Sequence, residues 1–131
     1  MLNLKLIKDQ STPLKILCLG AHSDDIEIGC GGSILRLLSE YSNTDVHWIV
    51  FAANGERTSE AAASAEQFLA GAGWKKIVVN KFRDSFFPYI GGEIKQYFET
   101  IKKEIAPDLI FTHYRNDLHQ DHRLLSELTW N

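Results

Sequence analysis

Short apolar runs alternate with longer amphipathic stretches along this chain. Four runs, each bounded by glycine, proline or polar residues, have the length of buried β-strands. They are Ile16–Leu19, Val46–Ala52, Ile77–Val79 and Leu109–Thr112. After each run, apolar residues recur at intervals of three and four, which is typical of a helix with one buried face. The predicted helices are Ser33–Tyr41, Glu60–Ala70, Ile94–Ile105 and His119–Trp130.

This strand–helix alternation predicts the fold class. Strands that alternate with helices of this length form a parallel sheet with right-handed crossovers. We expect an α/β fold, a Rossmann-like three-layer sandwich with a mainly parallel sheet, in a single domain over residues 1–131. A polar lead-in closed by Pro13 contains a candidate edge strand at Leu2–Ile7. The last helix reaches Trp130 without a cap, and its apolar side predicts a truncated fold or a homo-oligomer.

Composition narrows the classes of partner. Hydrophobic residues make up 44% and charged residues 24% of the chain, as in an ordinary soluble domain. The net charge of −3 argues against nucleic acid or an acidic membrane as the partner. No apolar run approaches the roughly 20 residues of a membrane span, and the N-terminus lacks a signal-peptide pattern. Cys18 and Cys30 form no CxxC pair, which indicates reduced thiols in a cytoplasmic protein.

Two clusters of histidine and aspartate follow predicted strands. One is His22 to Asp25, after the first strand, and the other is Asn116 to Arg123, after the fourth. The carboxyl ends of parallel strands meet at one edge of the sheet, where open α/β sheets bind their ligands. On a helix, His119 and His122 would share a face. Two imidazoles and a carboxylate leave coordination positions open, as in catalytic zinc sites, and also suit ferrous iron.

Each cluster has a simpler interpretation when taken alone. Asp24 and Asp25 could cap the helix that follows them. The glycines of residues 29–32 could form a phosphate-binding turn, but GxGxxG and GKS/T motifs are missing from the sequence. A non-catalytic carbohydrate- or nucleotide-binding module therefore stays as the alternative function. Such a module would not need the extra carboxylate of Asp24.

The two clusters together resemble a known family. Residues 20–27, GAHSDDIE, are similar to the AHPDDE signature of the PIG-L/LmbE-like de-N-acetylases, and residues 119–123, HQDHR, are similar to that family's HPDHR. The resemblance extends from about Leu14 to the end of the chain. Ser23 and Gln120 replace prolines of the two motifs, and Ile26 precedes Glu27, which displaces the motif's acid by one position. Relatives continue for further strands and helices, so the C-terminal part of the family fold is expected to be missing.

The resemblance implies an activity. Members of the family have a Rossmann-like fold and hydrolyse N-acetyl groups of N-acetylglucosamine-type sugars and glycoconjugates with a bound zinc ion. By motif position, the implied metal ligands are His22, Asp25 and His122, and Zn²⁺ is the expected metal, with Fe²⁺ as the alternative. Asp24 is the implied general base for a water activated by the metal, whose pKa falls from ~15.7 towards ~7. His119 is implied to lie near the reacting carbonyl.

Three further residues receive roles that are less specific. Arg57 is similar in position to a family arginine that contacts substrate, and Asp84 resembles an aspartate that meets sugar hydroxyls. A solvated charge at a helix start and a turn residue are the simpler interpretations of the two. Asp117 is a candidate for orienting one of the imidazoles, or an exposed loop residue. The expected partner is a small amino sugar or its conjugate.

Overall fold

The structure is a computed structural model that describes Leu6 and residues 11–131. The candidate edge strand Leu2–Ile7 lies outside the described residues except for Leu6, which occupies a bend. The strands are β1 (Leu14–His22), β2 (Thr44–Ala52), β3 (Trp74–Val79) and β4 (Leu109–Phe111). The helices are α1 (Asp25–Glu40), α2 (Glu56–Phe68), α3 (Gly91–Glu104), α4 (Gln120–Thr129) and a 3₁₀ helix at Phe87–Tyr89.

The four strands form one parallel sheet in the order β3-β2-β1-β4. Leu14 of β1 pairs with Thr44 of β2, and Ile16 pairs with Leu109 of β4. The central position of β1 explains its nearly continuous apolar run, because a central parallel strand is covered on both faces. The predicted parallel sheet is therefore confirmed, and both histidine-containing clusters begin at its carboxyl edge.

A layer of helices covers each face of the sheet. Helices α1 and α2 pack on the face that contains Trp48, whereas α3 and α4 pack on the face that contains Phe51. Both aromatic side chains are fully buried. The three-layer arrangement that the alternation predicts is thus confirmed. No helix in the described part of the chain is long and apolar enough to cross a membrane.

Helix α1 begins at Asp25, so the prediction that it begins at Ser33 was wrong. The glycines between these positions suggested a turn, but they belong to the helix. A Cβ atom added at Gly31 would lie 2.6 Å from Cε1 of Phe68 in α2, so this glycine allows the two helices to approach closely. The consequence for the site is that Asp25 belongs to the first turn of a rigid helix.

Other boundaries also differ from the predictions by a few residues. Strand β3 begins at Trp74 instead of Ile77, and α2 begins at Glu56 instead of Glu60. Arg57 therefore lies in the first turn of α2. At the end of the chain, α4 begins at Gln120, and His119 is its N-cap residue. These shifts move element ends by a few residues and leave the order of elements unchanged.

Candidate metal centre at the carboxyl edge of the sheet

The junction between β1 and α1 places the first cluster. The strand ends at His22 and the helix starts at Asp25, whose Oδ2 accepts the His22 backbone N–H at 2.7 Å. Gly20 allows this tight junction, because a Cβ there would lie 2.8 Å from Cγ1 of Ile26. The strand end and the first helical turn therefore hold both side chains over the same edge of the sheet.

The three predicted metal ligands lie together in the structure. Nδ1 of His22 is 3.2 Å from Nε2 of His122, and each of these nitrogens is 3.4 Å from Oδ2 of Asp25. A tetrahedral zinc ion with bonds of about 2.0–2.1 Å holds its ligand atoms about 3.3 Å apart. The donor set and the spacing of these residues fit a zinc ion with one coordination position left open.

Overlapping sets of histidine and aspartate surround these three residues. Besides those three ligands, the described residues contain three further groups whose ligand atoms lie within 4.8 Å of one another: His22–His119–His122, Asp25–His113–His122 and His22–Asp84–Asp121. Every set contains His22 or His122, so the sets describe one centre and its surroundings. The neighbouring groups differ in whether their ligand atoms are already engaged in hydrogen bonds.

Electrostatics in the centre favours a charged carboxylate. Burial raises the pKa of Asp25, but hydrogen bonds from His22 and the nearby imidazoles outweigh burial and lower its pKa to about 2. Burial lowers the pKa of His22, but the hydrogen bonds and charges of Asp25, Asp121 and Asp84 outweigh burial and raise its pKa. A carboxylate that stays ionised at neutral pH is the form that coordinates a metal.

His113 belongs to the centre, but its Nε2, the nitrogen near Asp25, already accepts a hydrogen bond. Its ring stacks on His122 with centroids 3.9 Å apart, and its Nε2 accepts the backbone N–H of Ala21 at 2.9 Å. Burial, with the charge of His122, lowers its pKa to about 4, so the ring is neutral at physiological pH. We therefore assign His113 to the wall of the centre. In the sequence, the position of His113 just past the fourth strand is the feature that indicates its place near the centre.

His119 lies beside the three ligands at the start of α4. Its Nδ1 accepts the backbone N–H of Asp121 at 3.2 Å, as an N-cap. Its ring centroid lies 4.8 Å from that of His22 and 4.7 Å from that of His122. Because Nδ1 is an acceptor, the ring carries its proton on Nε2, which can donate a hydrogen bond to a bound molecule.

Asp24 and Arg57 both line a cleft next to the centre. A cavity of about 420 Å³ lies between α1 and α2. Its lining residues are Ser23, Asp24, Glu27, Arg57, Glu60, Ala61 and Ser64. Asp24 occupies the N-cap position of α1 but makes no capping hydrogen bond through its side chain, contrary to the capping interpretation. Its side chain is exposed and lines the cleft.

Three more aspartates contact the far sides of the imidazoles. Asp117 Oδ2 lies 3.2 Å from Nδ1 of His122, which is the position expected of an orienting carboxylate. Asp84 Oδ1 and Asp121 Oδ2 lie 3.2 Å and 3.3 Å from Nε2 of His22. No role for Asp121 was predicted from the sequence. Its place between the two histidines of the second cluster was the signal available.

The fold and the centre together define a class of protein: a three-layer α/β domain with a histidine–aspartate centre at the carboxyl edge of a parallel sheet. The sequence pattern of the PIG-L family, described as GlcNAc-PI de-N-acetylase, matches residues 17–131. The chain belongs to the PIG-L family. No curated protein sequence matches it.

Solved structures show the same fold in longer chains. The chain is similar to the conserved protein TT1542 from Thermus thermophilus (22% identity, 89% of this chain, 54% of that chain, TM-score 0.70). It is also similar to N,N′-diacetylchitobiose deacetylase from Pyrococcus horikoshii (27% identity, 95% and 52% coverage, TM-score 0.67). A third similar structure is GalB, the 4-carboxy-2-hydroxymuconate hydratase from Pseudomonas putida (20% identity, 88% of this chain, 54% of that chain, TM-score 0.67). The chain spans about half the length of these structures.

Proposed function

We propose that this chain carries the catalytic centre of a metal-dependent hydrolase that removes an N-acetyl group from an N-acetylglucosamine-type sugar or glycoconjugate. The observation that carries the proposal is the spacing of 3.2–3.4 Å among ligand atoms of His22, Asp25 and His122. Membership of the PIG-L family and the 27% identity to a diacetylchitobiose deacetylase support the same reaction class.

The metal we propose is zinc, with ferrous iron as the second choice, held by His22, Asp25 and His122. When bound there, the ion supplies a Lewis acid that lowers the pKa of water and polarises a carbonyl group. Two nitrogen ligands and one oxygen ligand are typical of hydrolytic zinc sites. Asp117 stabilises this arrangement by accepting the Nδ1 proton of His122, which leaves Nε2 free to coordinate.

Asp24 is the proposed general base. It lies two residues after His22, the last residue of β1, is exposed to the cleft, and makes no capping hydrogen bond through its side chain. It takes a proton from the water that attacks the acetyl carbon, and the water oxygen forms the new bond to that carbon. When the carbon–nitrogen bond breaks, the nitrogen receives the proton that Asp24 took from the water, and acetate and a free amine are the products.

His119 is the proposed donor to the developing oxyanion. The bond from the Asp121 N–H occupies Nδ1, so Nε2–H is the donor available to a carbonyl oxygen. A donor at this position stabilises the transition state, because its hydrogen bond strengthens as charge develops on the carbonyl oxygen.

The cleft between α1 and α2 is the proposed place for the sugar. Its volume of about 420 Å³ is in the range of small-molecule sites. Arg57 lines the cleft, and Asp84 lies at the opposite side of His22 with a half-exposed carboxylate. Both side chains offer hydrogen bonds that suit sugar hydroxyls, which agrees with the roles implied for them by the family resemblance.

The experiment that tests this function compares Asp24→Asn with the parent protein. Zinc content is measured on each, together with acetate release from N,N′-diacetylchitobiose and an N-acetylglucosaminyl conjugate. We expect Asp24→Asn to retain zinc and to lose activity by about 10²–10⁴-fold, the usual contribution of a general base. The matched control is Asp45→Asn, at the opposite edge of the sheet, which should behave like the parent.

Two outcomes would contradict the proposal. An Asp24→Asn protein that holds zinc and is as active as the parent would exclude Asp24 as the base. A parent protein that binds zinc and sugar without releasing acetate would favour the non-catalytic binding module.

A further inference from the structure

Asp121 is a fully buried carboxylate at the start of α4, with 0% of its surface exposed. Its Oδ2 accepts the backbone N–H of Ser85 at 2.7 Å, and its Oδ1 accepts the backbone N–H of Phe87 at 3.1 Å. A buried carboxylate is costly unless its oxygens are hydrogen-bonded. These two bonds hold the carboxylate in one orientation, with Oδ2 also 3.3 Å from Nε2 of His22.

The two nitrogens of His22 face different surroundings. Nδ1 points to Asp25 and to Nε2 of His122, whereas Nε2 points to Asp84 and Asp121. A neutral imidazole carries one proton, and the nitrogen without it is the one that can coordinate a metal. The partner on the far nitrogen therefore decides which nitrogen faces the metal.

We propose that Asp121 is a positioning residue that holds the Nε2 proton of His22 and so commits Nδ1 to the metal. The inference rests on the proposed function, because it concerns how the proposed ligand set is held. Both carboxylate oxygens of Asp121 are engaged by backbone N–H groups. It acts through His22, in the way that carboxylates behind metal-bound histidines fix the tautomer and the ring orientation.

Asp84 lies as close to His22 but is suited to a different task. Its side chain is 52% exposed, and its Oδ1 accepts a hydrogen bond from the Ser85 hydroxyl. Water competes for an exposed carboxylate, and the side chain can rotate away from the imidazole. Asp121 cannot rotate without breaking two backbone hydrogen bonds. Asp84 therefore remains available to a substrate hydroxyl while Asp121 holds the proton.

Gln120 provides a control for the structural role of this region. Its side-chain amide donates to the carbonyl oxygen of Ser85 at 2.6 Å, so α4 holds Ser85 at both its N–H and its carbonyl. Ser85 has a φ of 64°, a left-handed conformation that is strained for a residue with a side chain. Gln120→Ala removes one of these two anchors and leaves the Asp121–His22 contact in place. It therefore separates loosening of the loop from release of the imidazole.

The first measurement needs no variant. Nitrogen-15 NMR of histidine-labelled, zinc-loaded protein should show His22 with Nδ1 coordinated and Nε2 protonated, and its Hε2 should exchange slowly with water. Coordination through Nε2, or an Hε2 that exchanges as fast as that of an exposed imidazole, would overturn the role of Asp121. This result stands even if an Asp121 variant does not fold.

The second measurement compares variants by zinc titration of the metal-free protein. Asp121→Asn should weaken zinc binding by about 10–100-fold and speed the exchange of the His22 Hε2, as is usual for loss of an orienting carboxylate. Gln120→Ala should leave both quantities as in the parent. An Asp121→Asn protein with parental zinc affinity and exchange would overturn the inference, and so would equal losses in the two variants.

The same data distinguish failure of this inference from failure of the proposed function. Zinc bound through Nδ1 of His22 in the parent, with no effect of Asp121→Asn, would remove only the role of Asp121. A parent protein in which zinc does not contact His22 would overturn the proposed metal centre, and this inference with it.

Discussion

The two edges of the sheet contain the same kinds of residue in different electrostatic arrangements. At the amino edge, a cavity of about 410 Å³ is lined by Lys15, Asp45, His47, Trp74, Glu104, Ile105 and Ala106. At the carboxyl edge, the centre described above combines histidines with aspartates. Histidine, carboxylate and an open cavity are therefore common to both edges, and residue type alone does not separate them.

The two edges differ in the groups that balance the negative charge of their carboxylates. At the amino edge, Glu104 pairs with Lys76 at 3.0 Å, and the ring of His47 packs on Trp74 with centroids 4.9 Å apart. Burial, with the charge of Lys76, lowers the pKa of His47. At the carboxyl edge, no lysine or arginine of the described residues forms an ion pair with Asp25 or Asp121. Carboxylates without a lysine or arginine partner attract a cation, so this edge is the one suited to a metal.

The largest expected effect comes from removing the central carboxylate. Asp25→Ala should abolish measurable zinc binding and, as a consequence, activity, because Asp25 supplies the charged ligand. Isothermal titration with zinc and elemental analysis check this result. Asp45→Ala, which removes a carboxylate from the amino edge, is the matched control and should bind zinc as the parent does. Equal zinc affinity in the two variants would contradict the comparison of the edges.

A smaller effect is expected for His119→Ala. The variant should retain zinc and lose kcat by about 10²–10³-fold, since removing one donor to an oxyanion typically costs that much. Activity and zinc content are measured on the same preparation. Loss of zinc from this variant would place His119 among the ligands, and unchanged kcat would exclude it as the donor.

A third effect concerns the support of His122. Asp117→Asn should weaken zinc binding by about 10-fold, near the lower end for such carboxylates, because the Asp117 side chain is 32% exposed. Competition with a chelating dye measures the affinity. An affinity within the error of the parent value would identify Asp117 as an exposed loop residue, which is the simpler interpretation of its position in the sequence.

The smallest effect is a pH dependence of the metal-free protein. Because the pKa of His113 falls from 6.5 to about 4 on folding, the neutral ring is favoured in the folded state. Its contribution to stability is complete above pH 6.5 and is lost as the pH falls from about 6.5 to about 4. NMR titration of His113 measures the pKa, and chemical denaturation measures the free energy of unfolding.

His113→Gln provides the control for that pH dependence. Its amide oxygen can still accept the Ala21 N–H, but it has no proton to gain, so stability should vary less between pH 6.5 and pH 4. A folded-state pKa of His113 at or above 6.5 would show that the ring is not held neutral by burial.

Much of the fold could be predicted from the chain because the deciding interactions are local. Apolar runs bounded by glycine, proline or polar residues identified all four strands of the described residues, and apolar spacing identified the four α-helices but not the short 3₁₀ helix. The helix boundary at Asp25 could not be predicted in the same way. Gly31 lies where a Cβ would meet Phe68 of α2, and this packing of two helices is not visible in the local sequence around the glycines.

The amino-acid sequence by itself determined the parallel α/β architecture, the family, and the two clusters that meet at one edge, because the alternation of strands and helices along the chain and the residues of the motifs are local features of the sequence. Only the tertiary structure decided which side chains near those clusters are already engaged in hydrogen bonds. His113 is engaged by the N–H of Ala21, 92 residues away, and Asp121 meets His22 across 99 residues. Contacts between side chains so far apart depend on how the strands and helices pack, so residue type and spacing do not reveal them.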